Sequence, residues 1–178
     1  WVPYNESWGQ PGKAKTDMTL AWVKRYDPTR LVNGPSGWND YGTGDTHDLH
    51  KYPGPEMFPV TGDRVSVLGE FGGLGYRIEG HVWFPESKWC GVISTTSTEE
   101  LTEQYGKLMQ RLAELAKAGL SASVYTGTSD IEGEIDGLTT YDRKCVKVQP
   151  AAFASLHRAV RDAGEGTETI FPLLNTTP

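Results

Sequence analysis

The stretch RVSVLGEFGG, residues 64–73, decides how this chain is read. Val65, Val67 and Leu68 form a short apolar, β-branched run, which predicts a strand over 64–69. The run stops on Glu70, and Gly72 and Gly73 then let the backbone turn sharply. A carboxylate at a strand end, flanked by apolar and glycine residues, is partly desolvated and is a candidate for chemistry. The glycines do not make a phosphate loop: GEFGGLG lacks the Gly-Lys-Ser/Thr ending and leads into no helix.

The same arrangement recurs on both sides. Trp1–Asn5 reads as a strand running into Glu6, Arg30–Asn33 as a second, and Asp48–Tyr52 as a third, closed by Pro53-Gly54-Pro55. Leu120–Tyr125 reads as a fifth, followed by the acidic loop TSDIEGEIDG (128–137). Three helices are predicted. One starts at Thr16 or Asp17 and carries the stripe Thr19, Trp22, Val23, Tyr26. A second opens on a Ser97/Glu100 capping box, buries Leu101, Tyr105, Leu108, Leu112 and Leu115, and ends at Gly119. The last begins near Pro150, with Phe153, Leu156 and Val160 on one face. Alternating strands with helices or long loops favour a parallel α/β sheet. Polar residues gather just after strands, at Glu6, Asn39, Asp40, Glu70, Asp130 and Glu132, where such folds place their sites.

Composition narrows the partners. The chain has 178 residues, 37% hydrophobic and 22% charged, which excludes a disordered chain. No apolar run is long enough to span a membrane, so no membrane partner is expected. A net charge of −6 repels phosphate backbones, so no nucleic acid is expected either. Trp8, Trp38, Tyr41, Tyr52, Trp83 and Trp89 lie among Gly, Pro and Asp, where an aromatic either packs a loop down or offers a flat face to a sugar ring. Cys90 and Cys145 fit no metal or redox spacing and read as free thiols. His47 and His50, three apart on a strand, face opposite ways, so no metal is expected there.

Glu6 and Glu70 suit a division of labour known from glycosidases. One desolvated carboxyl serves as general acid, the other stays ionised as nucleophile. Retaining enzymes hold the two about 5–5.5 Å apart. In sequence they are 64 residues apart (70 − 6), so only the fold can join them.

Five segments, in order, carry a resemblance: WVPYNESWGQ (1–10), YDPTRLVNGPSGW (26–38), GDTHDLHKYPGP (44–55), VLGEFGGLG (67–75) and VYTGTSDIEGEIDGLTTYDRK (124–144). Together they resemble the catalytic domain of glycoside hydrolase family 2, the β-galactosidase, β-glucuronidase and β-mannosidase group, over residues 1–150. The resemblance implies an α/β fold that is the C-terminal portion, about strands four to eight, of a (β/α)8 TIM barrel over residues 1–164, with 165–178 an unassigned tail. It implies Glu6 as acid/base and Glu70 as nucleophile, with no cofactor. Asn5 would bond the sugar 2-OH and Tyr52 would hold the nucleophile, while His50, Trp83, Asp130 and Glu132 would contact the sugar. Two departures stand out: Thr126-Gly127 where relatives often have Thr-Gln, and Asp136-Gly137 where they often have Asn-Gly.

The expected activity is hydrolysis of a terminal β-linked sugar through a glycosyl-enzyme. The alternatives are a non-catalytic carbohydrate-binding scaffold and a non-glycosidase α/β enzyme using the same carboxylates. Under the resemblance, barrel strands one to three are expected from a preceding segment or from a partner chain, and an exported location is favoured over the cytoplasm.

Overall fold

A computed structural model describes residues 1–86 and 90–166. Trp89 and positions 167–178 of the expected tail lie outside the described residues. The helices are α1 (Lys13–Tyr26), α2 (Thr98–Lys117) and α3 (Pro150–Glu165). The strands are β1 (Thr46–Lys51), β2 (Val65–Gly72), β3 (Leu74–Tyr76), β4 (Ile93–Thr95) and β5 (Ala122–Thr126). β1, β2 and β5 form a parallel sheet in that order, and β3 pairs with β4 in a second, two-stranded parallel sheet.

This corrects the expectation of a barrel portion. Such a portion would run five strands side by side, each followed by a helix. Here no helix separates β1 from β2, and β2 turns out of its sheet at Gly72 (φ 113°) and Gly73 (φ 68°) to start the second sheet. The expected strands at 1–5 and 30–33 are reduced to isolated parallel bridges, Tyr4 with Pro35 and Asn33 with Thr46. Pro3 removes a ladder donor from the first segment, and Pro35, just past the second, removes another beside its bridge to Tyr4. The chain is a mixed α/β fold with two small parallel sheets.

The two faces of the larger sheet differ in chemistry. Leu49 and Leu68 stand opposite each other in register and face the helices. Leu68, Phe71 and Leu74 join Leu101, Tyr105, Leu108, Met109, Leu112 and Leu115 of α2 in one dry core. Tyr105 is its centre. Its ring stacks on Phe153 of α3 and meets Tyr125 edge-on, while its hydroxyl reaches His157 Nε2 at 2.8 Å. Ser97 Oγ caps α2 by accepting the Glu100 N–H at 3.1 Å, and Glu100 closes the cap one residue early, on the Thr96 N–H at 2.7 Å. The opposite face of β1 buries polar residues, Thr46, Asp48 and His50.

The N-terminal part is built otherwise. α1 begins at Lys13, ahead of the expected cap, and buries Thr16 and Leu20 rather than Trp22 and Tyr26. Trp22 and Tyr26 stack on each other in solvent, 63% and 80% exposed. The large aromatics suggested an inward stripe, but Thr16 and Leu20, one turn apart, form the face that is buried. Polar bonds stitch this part together: Tyr4 Oη to Thr19 Oγ1 at 2.9 Å, Lys24 Nζ to Asp45 at 2.8 Å, and Trp1 Nε1 to Asp27 at 2.9 Å.

Candidate active site

Glu70 reaches the site through a bulge. The register of β1 against β2 runs Leu49 with Leu68 and then His50 with Glu70, so Gly69 is an extra residue on β2. A bulge re-aims the side chain that follows it. Here it leaves Leu68 and Phe71 in the core and turns Glu70 to the polar side beside His50. Gly69 also donates its N–H to Asp48 Oδ1 at 2.7 Å, and a Cβ at this position would run into that carboxylate.

Glu6 comes from the N-terminal part. Glu6 and Ser7 both adopt left-handed backbone (φ 48° and 67°), a conformation that costs a non-glycine residue about 1–2 kcal/mol. Such residues cluster at functional sites. The Glu6 N–H is anchored on Ser36 Oγ at 3.2 Å, and that hydroxyl also lies 3.1 Å from the Tyr4 carbonyl and 3.2 Å from Asn5 Oδ1.

Between the two carboxylates stands His50, its side chain 3% exposed. Its Nδ1 lies 3.0 Å from Glu6 Oε1 and 3.4 Å from Glu70 Oε2, and its Nε2 faces Asp48 Oδ2 at 3.7 Å. The last distance is an ion-pair approach rather than a hydrogen bond. Asp48 is fixed in turn by Asn33 Nδ2 at 2.5 Å. Burial pulls the His50 pKa down, but the neighbouring Asp48 carboxylate, the hydrogen bond to Glu6 and the charge of Glu70 outweigh it, and the pKa is raised. One oxygen each of Glu6 and Glu70, with the His50 nitrogen, lie within 4.8 Å of one another, close enough for the trio to share a cation in place of a proton. Tyr52 donates its hydroxyl proton to Glu70 Oε2 at 2.6 Å and meets Thr126 Oγ1 at 2.6 Å. Burial and the Glu70 carboxylate push the Tyr52 phenol pKa well up, so it stays a donor.

The pair opens into a cleft of about 300 Å³ whose lining includes Glu6, Tyr52, Glu70, Thr126, Glu134 and Asp136. The structure therefore brings together Glu6, Glu70, Tyr52 and His50. Asn5, beside Glu6, is exposed and accepts from Ser36. Trp83, Asp130 and Glu132 stand elsewhere. Trp83 is 51% exposed and packs on Phe84 and Tyr141. Asp130 is buried and ion-paired at 2.5 Å with Lys147, whose side chain is fully buried. Glu132 is exposed at a turn (φ 49°).

Sequence reasoning gave no site role to Asp48, Ser36, Thr126, Glu134 or Asp136. The signal for Asp48 was present: THDLHK alternates with its polar residues on the buried face. Trp38, noted only as a loop aromatic, stands edge-on to His50 at 6.3 Å and remains 54% exposed. Fold and site together define a mixed α/β protein with a paired-carboxylate cleft. In comparison with known proteins, the chain matches no family model and no curated protein.

Proposed function

We propose that this protein is a retaining glycoside hydrolase of the family 2 type, acting on a terminal β-linked sugar. One observation carries the reading: carboxylate oxygens of Glu6 and Glu70 within 4.8 Å of each other, at the wall of an open cleft. Oxygens this close accord with the carboxyl spacing of about 5–5.5 Å in retaining enzymes rather than the roughly 6.5–9.5 Å of inverting ones.

Glu70 attacks the anomeric carbon as Glu6 protonates the departing glycosidic oxygen. One carbon–oxygen bond forms, one breaks, and the sugar is left esterified to Glu70. Glu6, now ionised, takes a proton from water. The water oxygen displaces Glu70, and the product keeps the β configuration. Tyr52 fixes one oxygen of Glu70, leaving the other to attack. His50 holds Glu6 and Glu70 in mutual reach.

The test is trapping with 2-fluoro β-glycosides followed by peptide mapping. Mass added at Glu70 is the expected outcome. Label on another residue, or none in a protein that hydrolyses aryl β-glycosides, overturns the assignment. Sugar binding without turnover, unchanged in Glu70→Gln, would instead mark a carbohydrate-binding scaffold.

A further inference from the structure

The acidic segment 128–137 contains two buried aspartates, one with a cation inside the protein and one without. Asp130 has its counter-ion inside the protein: Lys147 Nζ sits 2.5 Å from Oδ1, and the Gly137 N–H donates to the same oxygen at 2.8 Å, while Oδ2 is buried without a hydrogen-bond partner. Asp136 is only 9% exposed, lines the cleft, and receives no hydrogen bond from any other described residue. Its own backbone N–H is its close donor. Lys147 is engaged with Asp130 and with the Ile135 carbonyl at 3.2 Å, and its charge offsets the burial of Asp136 only in part. A largely buried carboxylate with no cationic partner of its own is costly to ionise, and burial, with Glu134 and Asp130 adding repulsion, pushes its pKa up to about 6.

Glu134 lines the same cleft, as do Glu6 and Glu70, and no Lys or Arg is among the described lining residues. Four carboxyl groups thus share one cleft. A neutral sugar would supply hydroxyl donors but no charge, and a uronate would add a fifth carboxylate.

We propose that the cleft binds a sugar bearing an ammonium group, an amino sugar, with Asp136 and Glu134 supplying the counter-charge. This rests on the reading of the cleft as a glycoside site and specifies its substrate class. Asp136 has the partner inside the cleft that Asp130 has inside the protein.

Calorimetric titration at pH 7 with the methyl β-glycosides of the amino sugar, the neutral sugar and the uronate, in the gluco and galacto series, tests it. In at least one series the amino sugar is expected to bind about tenfold tighter than its neutral counterpart, the equivalent of roughly 1.4 kcal/mol, and the uronate not measurably. Asp136→Asn should bring amino and neutral sugars to within about twofold. Glu134→Gln is an exposed change that leaves the backbone pairing with Ile131 in place. It should narrow the gap partly and keeps the test open if Asp136→Asn fails to fold. Equal or tighter binding of the neutral sugar, a preference untouched by both variants, or no binding in either series overturns the proposal. Aryl glycosides assayed in parallel separate the two readings. Preference without turnover supports the amino-sugar site and sinks the hydrolase; turnover without preference does the reverse.

Discussion

Glu6 and Glu70 face one another across a single cleft but are held by two kinds of architecture. Glu70 lies on β2, the middle strand of its sheet, one residue from Phe71 and two from Leu68, both essentially inaccessible to solvent. Glu6 sits on a left-handed turn outside any strand, anchored by a Ser36 hydroxyl and a His50 nitrogen. The first arrangement is fixed by dry packing, the second by individual polar contacts. That difference matches the proposed chemical roles. A nucleophile must meet carbon along one line, whereas an acid/base serves a leaving oxygen and then a water in two successive steps.

The comparison breaks first, if at all, at the carboxylates. Glu70→Gln is expected to lower kcat by about 10⁴-fold or more whatever the leaving group, because no covalent intermediate can form. Glu6→Gln should cost about 10²–10⁴-fold on alkyl glycosides. It should cost far less on dinitrophenyl glycosides in the first step, since such leaving groups need no proton. Pre-steady-state bursts with both substrates check this. Equal losses in both variants on both substrates would erase the distinction between the two sites.

Stability should divide along the same line. Tyr105→Ala removes the centre of the core between β2, α2 and α3 and is expected to cost about 3–5 kcal/mol. Trp22→Ala removes an exposed ring of α1 and should stay within about 0.5 kcal/mol. Urea unfolding of both variants measures the contrast.

Asp136 supplies a third case, a residue held against its own charge. A carboxyl whose folded pKa is raised stabilises the fold when protonated. That contribution is present at acid pH and is lost as pH rises through about 6. Asp136→Asn is therefore expected to stabilise the protein by about 2 kcal/mol at pH 7–8 and hardly at all near pH 4. Thermal denaturation across that range reads it. A variant no more stable than wild type at pH 8 would mean the carboxylate is satisfied by something else.

What was legible in the sequence follows from periodicity. α2 declared itself through Leu101, Tyr105, Leu108, Leu112 and Leu115, because a buried apolar stripe and a capping box leave few alternatives. Glu70 was legible because an apolar run ended on it, yet the bulge at Gly69 that aims it was not. Nothing in Leu-Gly-Glu says that an Asp48 carboxylate needs the space of a missing side chain. The barrel expectation failed where single bridges replaced strands, at Tyr4 with Pro35 and at Asn33 with Thr46, since a short apolar run looks like a strand whether or not a proline within or just beyond it interrupts the ladder. In the acidic loop the residues that line the cleft are not the two the sequence singled out. Asp130 points inward to Lys147 and Glu132 sits at the turn, while Glu134 and Asp136 line the cleft. Lys147, seventeen residues on from Asp130 in sequence, settles that facing, and no local pattern connects the two.

The smallest expected effect concerns the contact that joins the two architectures. His50 bonds Glu6 and lies 3.4 Å from Glu70, with Asp48 behind it. Its raised pKa means that the folded state binds a proton more tightly than the unfolded chain does. This stabilisation is complete below the unfolded value near 6.5 and is lost as pH rises through the higher folded value. Wild type should therefore lose stability relative to His50→Gln above about pH 6.5, by no more than about 1.4 kcal/mol per pH step for one proton. Glutamine keeps a donor for Glu6 but cannot titrate, so a parallel pair of stability curves would show that His50 is held neutral. A gap that closes toward alkaline pH would show the imidazolium to be the charge that lets Glu6 and Glu70 stand so near each other.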